Sequence, residues 1–177
     1  MLLNAEGSVL LLIDLQQRLM PVICDSEIVI ARAARVAEAA RILDVPIRAT
    51  QQYPAGLGTT VPELAGYPAQ TLDKTSFSAT GDPGFAALLP ADVSQIVIAG
   101  AEAHVCVLQT VLALLPAGRR VAVVADAVGS RDPADRELGL QRARQHGAEI
   151  VTSEMVLFEW LNDAKNPKFR EVQKLLR

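Results

Sequence analysis

Asp14, Lys74 and Cys106 stand where their side chains could do chemistry. Cys106 lies in IVIAGAEAHVCVLQTVLALL, residues 96–115, where an apolar run reaches Gly100 and a helical pattern begins a few residues later. A thiol at a helix start feels the positive end of the dipole and unpaired backbone N–H groups. Both favour thiolate, the nucleophilic form. The position would suit an easily ionised nucleophile, although taken alone Cys106 reads first as a small buried hydrophobe. Asp14 ends the apolar run of residues 9–13, which reads as a strand buried on both faces. Ligands in open α/β sheets gather at the carboxyl ends of strands, so Asp14 is a candidate base; the alternative is a cap for the following turn. Lys74, in TLDKTSFSA, follows a short β-prone stretch and precedes a polar loop. Alone it reads equally as a solvated surface charge.

Holding three such groups together requires strands alternating with helices. Strands are predicted at about residues 8–14, 47–50, just before Lys74, 96–99, 121–125 and 149–151. Helices are predicted at about 26–43, 85–89, 105–115, 133–145, 155–162 and 168–176. Asp132-Pro133 supplies an N-cap followed by proline at the first helical position. A helix start near Asp25 or Ser26 leaves Cys24 as a structural residue. Residues 52–70, with three prolines and three glycines among them, read as a long irregular connection of the kind that often carries function. The alternation argues for a three-layer α/β/α fold around a six-stranded, mostly parallel, Rossmann-like sheet.

The chain of 177 residues suits a single domain, 1–177, that can bury a substantial core. A net charge of −3 offers nothing to nucleic acid or an anionic membrane. No apolar run reaches transmembrane length, and the charge-poor start MLLNAEGSVLLLID lacks a signal-peptide layout. Two cysteines make no disulfide framework, so a reducing cytoplasm is expected. Neither a Gly-x-Gly-x-x-Gly nor a Walker-type lysine is present, and no cofactor is expected.

Taken together, LLIDLQ, DKTSFSA, GAEAHVCV, the stretch VVADAVGSRDPADRELGLQRARQHGAEIVTSEMVLFEWL and the tail DAKNPKFREVQKLL resemble the isochorismatase-like cysteine hydrolase family. The resemblance covers nearly the whole chain. It implies strand order 3-2-1-4-5-6 and an Asp14–Lys74–Cys106 triad. It also implies an oxyanion hole from the backbone N–H groups of Cys106 and Glu102, with Ala101–Glu102 as a cis peptide. The activity implied is hydrolysis of a small amide through a thioester, in a homo-oligomer (dimer or larger).

Departures from the family narrow this reading. Nicotinamidases of the family carry an Asp-x-His metal pattern after strand two, where this chain has Thr50-Gln51-Gln52-Tyr53. Only His104 and His146 are present, so no metal is expected and nicotinamide is disfavoured as substrate. His104 reads as a turn residue beside the site, with direct proton transfer as the alternative. Gln16 is a candidate to orient Asp14, or a turn residue. Tyr53 and Phe77 are candidate pocket walls, or core. Leu57, Val61 and Leu64 could form a lid or a subunit contact, and Phe158, Trp160 and Phe169 could anchor the last helices. Two other functions stay open: a catalytically silent interaction protein of the same fold, and a thiol redox protein using Cys106.

Overall fold

Two apolar strands set the centre of the molecule. The computed structural model describes residues 2–176. β1 (Ser8–Ile13) and β4 (Gln95–Ala101) are buried at every position and pair in parallel. Alternate side chains of a strand face opposite ways, so each strand feeds two cores. Leu10, Leu12, Val97 and Ala99 join one apolar cluster; Val9, Leu11, Ile13, Ile96 and Ile98 join the other. Each fully buried leucine or isoleucine contributes roughly 1.5–3 kcal/mol.

The sheet has six strands, all parallel, in the order 3-2-1-4-5-6. The others are β2 (Ile47–Gln52), β3 (Gln70–Lys74), β5 (Arg120–Gly129) and β6 (Glu149–Val151). The expected order is observed, and the sheet is wholly rather than mostly parallel. α1 (Ser26–Ile42), α7 (Ser153–Leu161) and α8 (Phe169–Gln173) cover one face, with Ala33, Val36, Leu157 and Val172 in that core. α4 (Phe85–Leu88), α5 (Leu108–Leu114) and α6 (Pro133–Gln145) cover the other, with Phe85, Val111 and Leu140 buried. Asp132 accepts the Ala134 N–H at 2.8 Å and caps α6 as its residue type predicts. Asp25 sits at the start of α1 in a left-handed conformation and makes no side-chain cap. Trp160 is buried, its indole N–H donating to Ser8 Oγ at 3.1 Å, which ties α7 to β1. Phe158 stays 44% exposed and is no anchor to the core; Phe169 packs partly against it.

Three segments depart from the expected pattern. β5 continues to Gly129 instead of stopping near residue 125, because its register against β4 shifts between Ile98 and Gly100. Asp126 interrupts the apolar run there and accepts from Ser153 N–H (2.7 Å) and Ser153 Oγ (2.6 Å). The 52–70 connection is partly helical, holding α2 (Pro54–Leu57) and α3 (Pro62–Ala65), each opened by a proline. Val61 and Leu64 are buried in the α1-side core, so this stretch is anchored rather than a free lid. Finally, the chain after β4 enters a π-helical turn, Ala103–Val107, before α5 begins. Among the described residues no helix is long and apolar enough to cross a membrane.

Candidate active site

The carboxyl ends of β1, β2, β3 and β4 bring the polar groups together. Asp14 follows β1 directly with φ 53°, a left-handed conformation that costs a non-glycine residue on the order of 1 kcal/mol. Its side chain is fully buried. Thr50 donates to Asp14 Oδ1 at 2.6 Å, and Lys74 Nζ donates to Asp14 Oδ2 at 2.7 Å. The Lys74 side chain is also fully buried. Its ammonium has further acceptors in Gln52 Oε1 (2.7 Å) and the carbonyls of Ser76 and Phe77 (both 3.2 Å). Four acceptors surround three N–H bonds, so the ammonium is saturated. A buried ion pair persists only when its remaining donors and lone pairs are satisfied in this way.

Cys106 is 6% exposed, and its thiol lies close enough to Asp14 to feel the carboxylate. Burial pushes the thiol up to about 12, the Asp14 charge adds to the rise, and Lys74 pulls downward without offsetting them. The expectation of an easily ionised thiol is therefore wrong for the resting protein. Desolvation and a neighbouring carboxylate outweigh the helix start and the ammonium. The resting site thus holds a neutral thiol beside the Asp14–Lys74 pair.

The turn carrying Cys106 has a distinct backbone. The Ala101–Glu102 peptide is cis. The Glu102 carbonyl accepts from Val105 N–H at 3.0 Å and from Val107 N–H at 3.2 Å. An α-helix would give it the Cys106 N–H, and the widened π turn bypasses that group. Thr110 Oγ donates to the Cys106 carbonyl at 2.7 Å and accepts the Ala79 N–H at 3.0 Å, fixing the turn from below. The Glu102 carboxylate accepts from Arg131 N–H (3.1 Å) and Arg131 Nε (3.0 Å). Burial disfavours its charge, and the Arg131 bonds more than compensate, holding the carboxyl below its usual range. His104 Nδ1 lies 2.9 Å from Ser130 Oγ, and His104 Nε2 lies 3.6 Å from Asp135 Oδ2.

The remaining candidates divide. Gln16 is buried; its backbone N–H donates to the Asp14 carbonyl at 2.9 Å, but its side chain makes no bond to the Asp14 carboxylate. It accepts the Gln52 N–H (2.7 Å) and donates to the carbonyls of Gln52 (3.1 Å) and Gly58 (2.6 Å), fastening the 53–60 segment to β1. Tyr53 and Phe77 are 58% and 55% exposed, so neither is core; they bracket Lys74 through the Tyr53 N–H to Lys74 carbonyl bond (2.8 Å) and the Phe77 carbonyl. Thr50 and Gln52 are residues that the sequence reading overlooked. Their only signal was two polar side chains at alternate positions near the carboxyl end of β2. Ser130 and Arg131 were also missed, since nothing in a turn sequence announces a partner some thirty residues earlier. Gln51 and Gln52 lie in the stretch that corresponds to the nicotinamidase metal pattern. Gln51 donates to Asp73 (2.8 Å) and accepts the Thr60 N–H (2.8 Å), while Gln52 serves Lys74. Among the described residues no group of three or more His, Cys, Asp or Glu side chains could hold a metal ion.

Comparison with known proteins fits this geometry. The model of the isochorismatase domain matches residues 8–155. The isochorismatase domain-containing protein 2 of Danio rerio is 44% identical over 175 residues, covering 98% of this chain and 89% of the relative. The solved structure of a protein described as MAR1 ribonuclease from Caenorhabditis elegans superposes with TM-score 0.93 at 40% identity, over 99% of this chain and 92% of that one. The Escherichia coli YcaC product, described as an octameric hydrolase of unknown specificity, shares the fold at 23% identity (TM-score 0.86, covering 98% and 95%). A match of that extent, on a parallel sheet whose switch point gathers Asp14, Lys74 and Cys106, makes this chain a member of the isochorismatase domain family.

Proposed function

We propose that the protein is a cysteine hydrolase that cleaves a small amide through a thioester, with Cys106 as nucleophile, Asp14 as base and acid, and Lys74 as the cation paired with Asp14. The observation that carries this reading is a buried carboxylate, held between Lys74 and Thr50, in reach of a neutral thiol. As the substrate carbonyl arrives, Asp14 takes the thiol proton and sulfur bonds to the carbonyl carbon. The carbonyl electron pair moves to oxygen, which the Cys106 and Glu102 N–H groups receive. Protonated Asp14 then gives its proton to the leaving nitrogen, the C–N bond breaks, and a thioester remains. Water attacks the thioester, Asp14 accepting its proton; the acid leaves and Cys106 regains its hydrogen.

Saturated by its four acceptors, Lys74 has no N–H to spare for substrate, so its work is electrostatic. Delaying deprotonation until substrate is bound suits a thiol that is neutral at rest. The N–H donors stabilise the oxyanion themselves, so the reaction as read needs no metal or cofactor. Tyr53 and Phe77, exposed beside Lys74, form the mouth through which a small substrate enters. The reading takes residues 1–177 as one domain working in a reducing, cytoplasmic setting. It also takes the protein as a homo-oligomer, in line with the octamer described for YcaC.

The test is a panel of primary amides, carbamoyl compounds and activated esters, with acyl-enzyme trapping, applied to the native protein and to Cys106→Ala. Turnover with a trapped acyl adduct, lost in Cys106→Ala while circular dichroism is unchanged, is the expected result. Full activity in Cys106→Ala refutes it. The name of the nematode protein makes RNA the necessary control substrate: RNA cleavage that survives Cys106→Ala would replace the amidase reading. Peroxide turnover alone would indicate a redox protein, and an inert thiol a silent scaffold.

A further inference from the structure

Outside the three central groups, a second polar cluster surrounds the nucleophile turn. Glu102, whose side chain is 11% exposed, is bridged to Arg131 through both backbone N–H and Nε. Two residues further along the turn, His104 is bridged to Ser130, which is 1% exposed, and its second nitrogen faces Asp135. Both links cross from the 101–107 turn to Ser130 and Arg131, between β5 and α6, and Asp135 stands in the first turn of α6. The two strands pair in register beneath them, Ala101 opposite Gly129. α6 presses on the same turn at Gly139, where a Cβ would come within 2.9 Å of His104 Cα and 3.1 Å of the Ala103 carbonyl. The turn is thus held by the bonds at Glu102 and His104 and by close backbone contact at residues 103–104. None of these side chains is needed to activate the thiol.

We infer that Glu102, His104, Ser130, Arg131 and Asp135 form a brace that aims the Glu102 and Cys106 N–H groups at a single point, and that they act as positioning residues for the oxyanion step. This inference rests on the reading of Cys106 as an acyl-transfer nucleophile. The physical argument is geometric. A π turn leaves a gap in the regular ladder, so the backbone of residues 102–106 has fewer bonds of its own to define it. Stabilising a developing oxyanion depends on donor placement to a few tenths of an ångström, which a turn alone does not fix. The Glu102–Arg131 link holds the residue that carries one donor. The His104–Ser130 link holds the turn midway to the other, with Asp135 orienting the imidazole.

Two reactions of the same sulfur separate this role from a general structural one. Acyl transfer from p-nitrophenyl acetate forms an oxyanion, whereas alkylation by iodoacetamide forms none. In Arg131→Ala and Ser130→Ala, kcat for the ester is expected to fall 10- to 100-fold, with KM within threefold of the native value. The alkylation rate is expected to stay within twofold. His104→Ala should match Ser130→Ala, and the double variant should be no worse than either. His104→Asn, which keeps a polar atom near the Nδ1 position, should restore most of the loss. Hydrogen exchange at amides 103–107 should quicken at least tenfold in the same variants while the β1 and β4 amides keep their protection. If ester turnover and alkylation fall together, or if neither turnover nor exchange changes, the brace is overturned. Exchange is measured without turnover, so it tests the brace even if the native protein does not hydrolyse the ester. That outcome would instead count against the proposed function.

Discussion

Replacing Asp14 by asparagine should make Cys106 more reactive toward an alkylating agent while abolishing hydrolysis. The wild-type thiol is pushed up to about 12 by burial and by the Asp14 carboxylate, with Lys74 opposing. At an effective dielectric constant near 20, two unit charges about 4 Å apart interact by about 4 kcal/mol, which sets the scale for a neighbouring carboxylate. At 1.36 kcal/mol per pH unit, losing it would lower the thiol by about three units. Residual rearrangement around Lys74 makes about two a safer figure, and two units raise the thiolate population at pH 8 about 100-fold. A less basic thiolate is a weaker nucleophile: with a Brønsted slope near 0.5, about tenfold of that gain is lost. The net expectation is an alkylation rate about tenfold faster than wild type at pH 8. The thiol of Cys24 is also raised, by burial and by Asp25, so the assay belongs in a Cys24→Ser background. The variant should keep its fold, because an asparagine can still accept from Thr50 and Lys74 retains Gln52 and two carbonyls. Pseudo-first-order rates with iodoacetamide from pH 6 to 11, beside hydrolysis of the substrate found by screening, make the measurement. An alkylation rate unchanged or slower at pH 8 in folded Asp14→Asn would refute the claim that Asp14 suppresses ionisation of the thiol.

Four other outcomes follow from the same interactions. Lys74→Met strands the buried Asp14 charge and should cost about 3–5 kcal/mol in urea unfolding, much of it recovered in the Asp14→Asn/Lys74→Met double variant. Gly100→Ala would put a Cβ 2.3 Å from the Ile13 carbonyl at φ +154°, so it should yield little folded protein, read by soluble yield and circular dichroism. Because the folded Cys106 thiol titrates near 12 against an ordinary value of 9.0, it favours the folded state below pH about 9, and that contribution disappears as pH rises towards 12. Cys106→Ala should flatten this alkaline loss in unfolding curves. Exhaustive EDTA and o-phenanthroline treatment should leave hydrolysis unchanged; loss that returns on adding stoichiometric zinc or manganese would reopen a metal-dependent mechanism.

Strand positions were legible because β1 and β4 are continuous apolar runs, and the order of the sheet followed once the family was recognised. Boundaries failed where a polar residue sits inside a strand for a tertiary reason. Asp126 interrupts β5, and only its bonds to Ser153 explain why the strand continues past it. In the site, Asp14, Lys74 and Cys106 were visible as charged or nucleophilic residues at strand ends. Thr50 and Gln52 were not: a threonine and a glutamine on β2 become part of the site only through register, Ile13 opposite Thr50 and Gln52 opposite Lys74. Gln16 was visible, but its role was misjudged, since a side chain two residues from Asp14 in sequence turned out to bond to the 52–58 segment.

The charge state of the thiol was the property least accessible from sequence, and it shows how the site must work. Helix position and a nearby lysine both argue for thiolate, and both influences are present here. They lose because burial weighs most and because the same lysine is already committed to Asp14 at 2.7 Å, whose own charge raises the thiol further. A free thiolate would compete with Asp14 for the ammonium and would leave two anions beside one cation in a buried site, an arrangement that desolvation penalises. Keeping the proton on sulfur until a carbonyl can accept the electron pair avoids that state. In the proposed mechanism, proton transfer and carbon–sulfur bond formation therefore belong to one event, and faster alkylation in Asp14→Asn is expected to accompany lost hydrolysis.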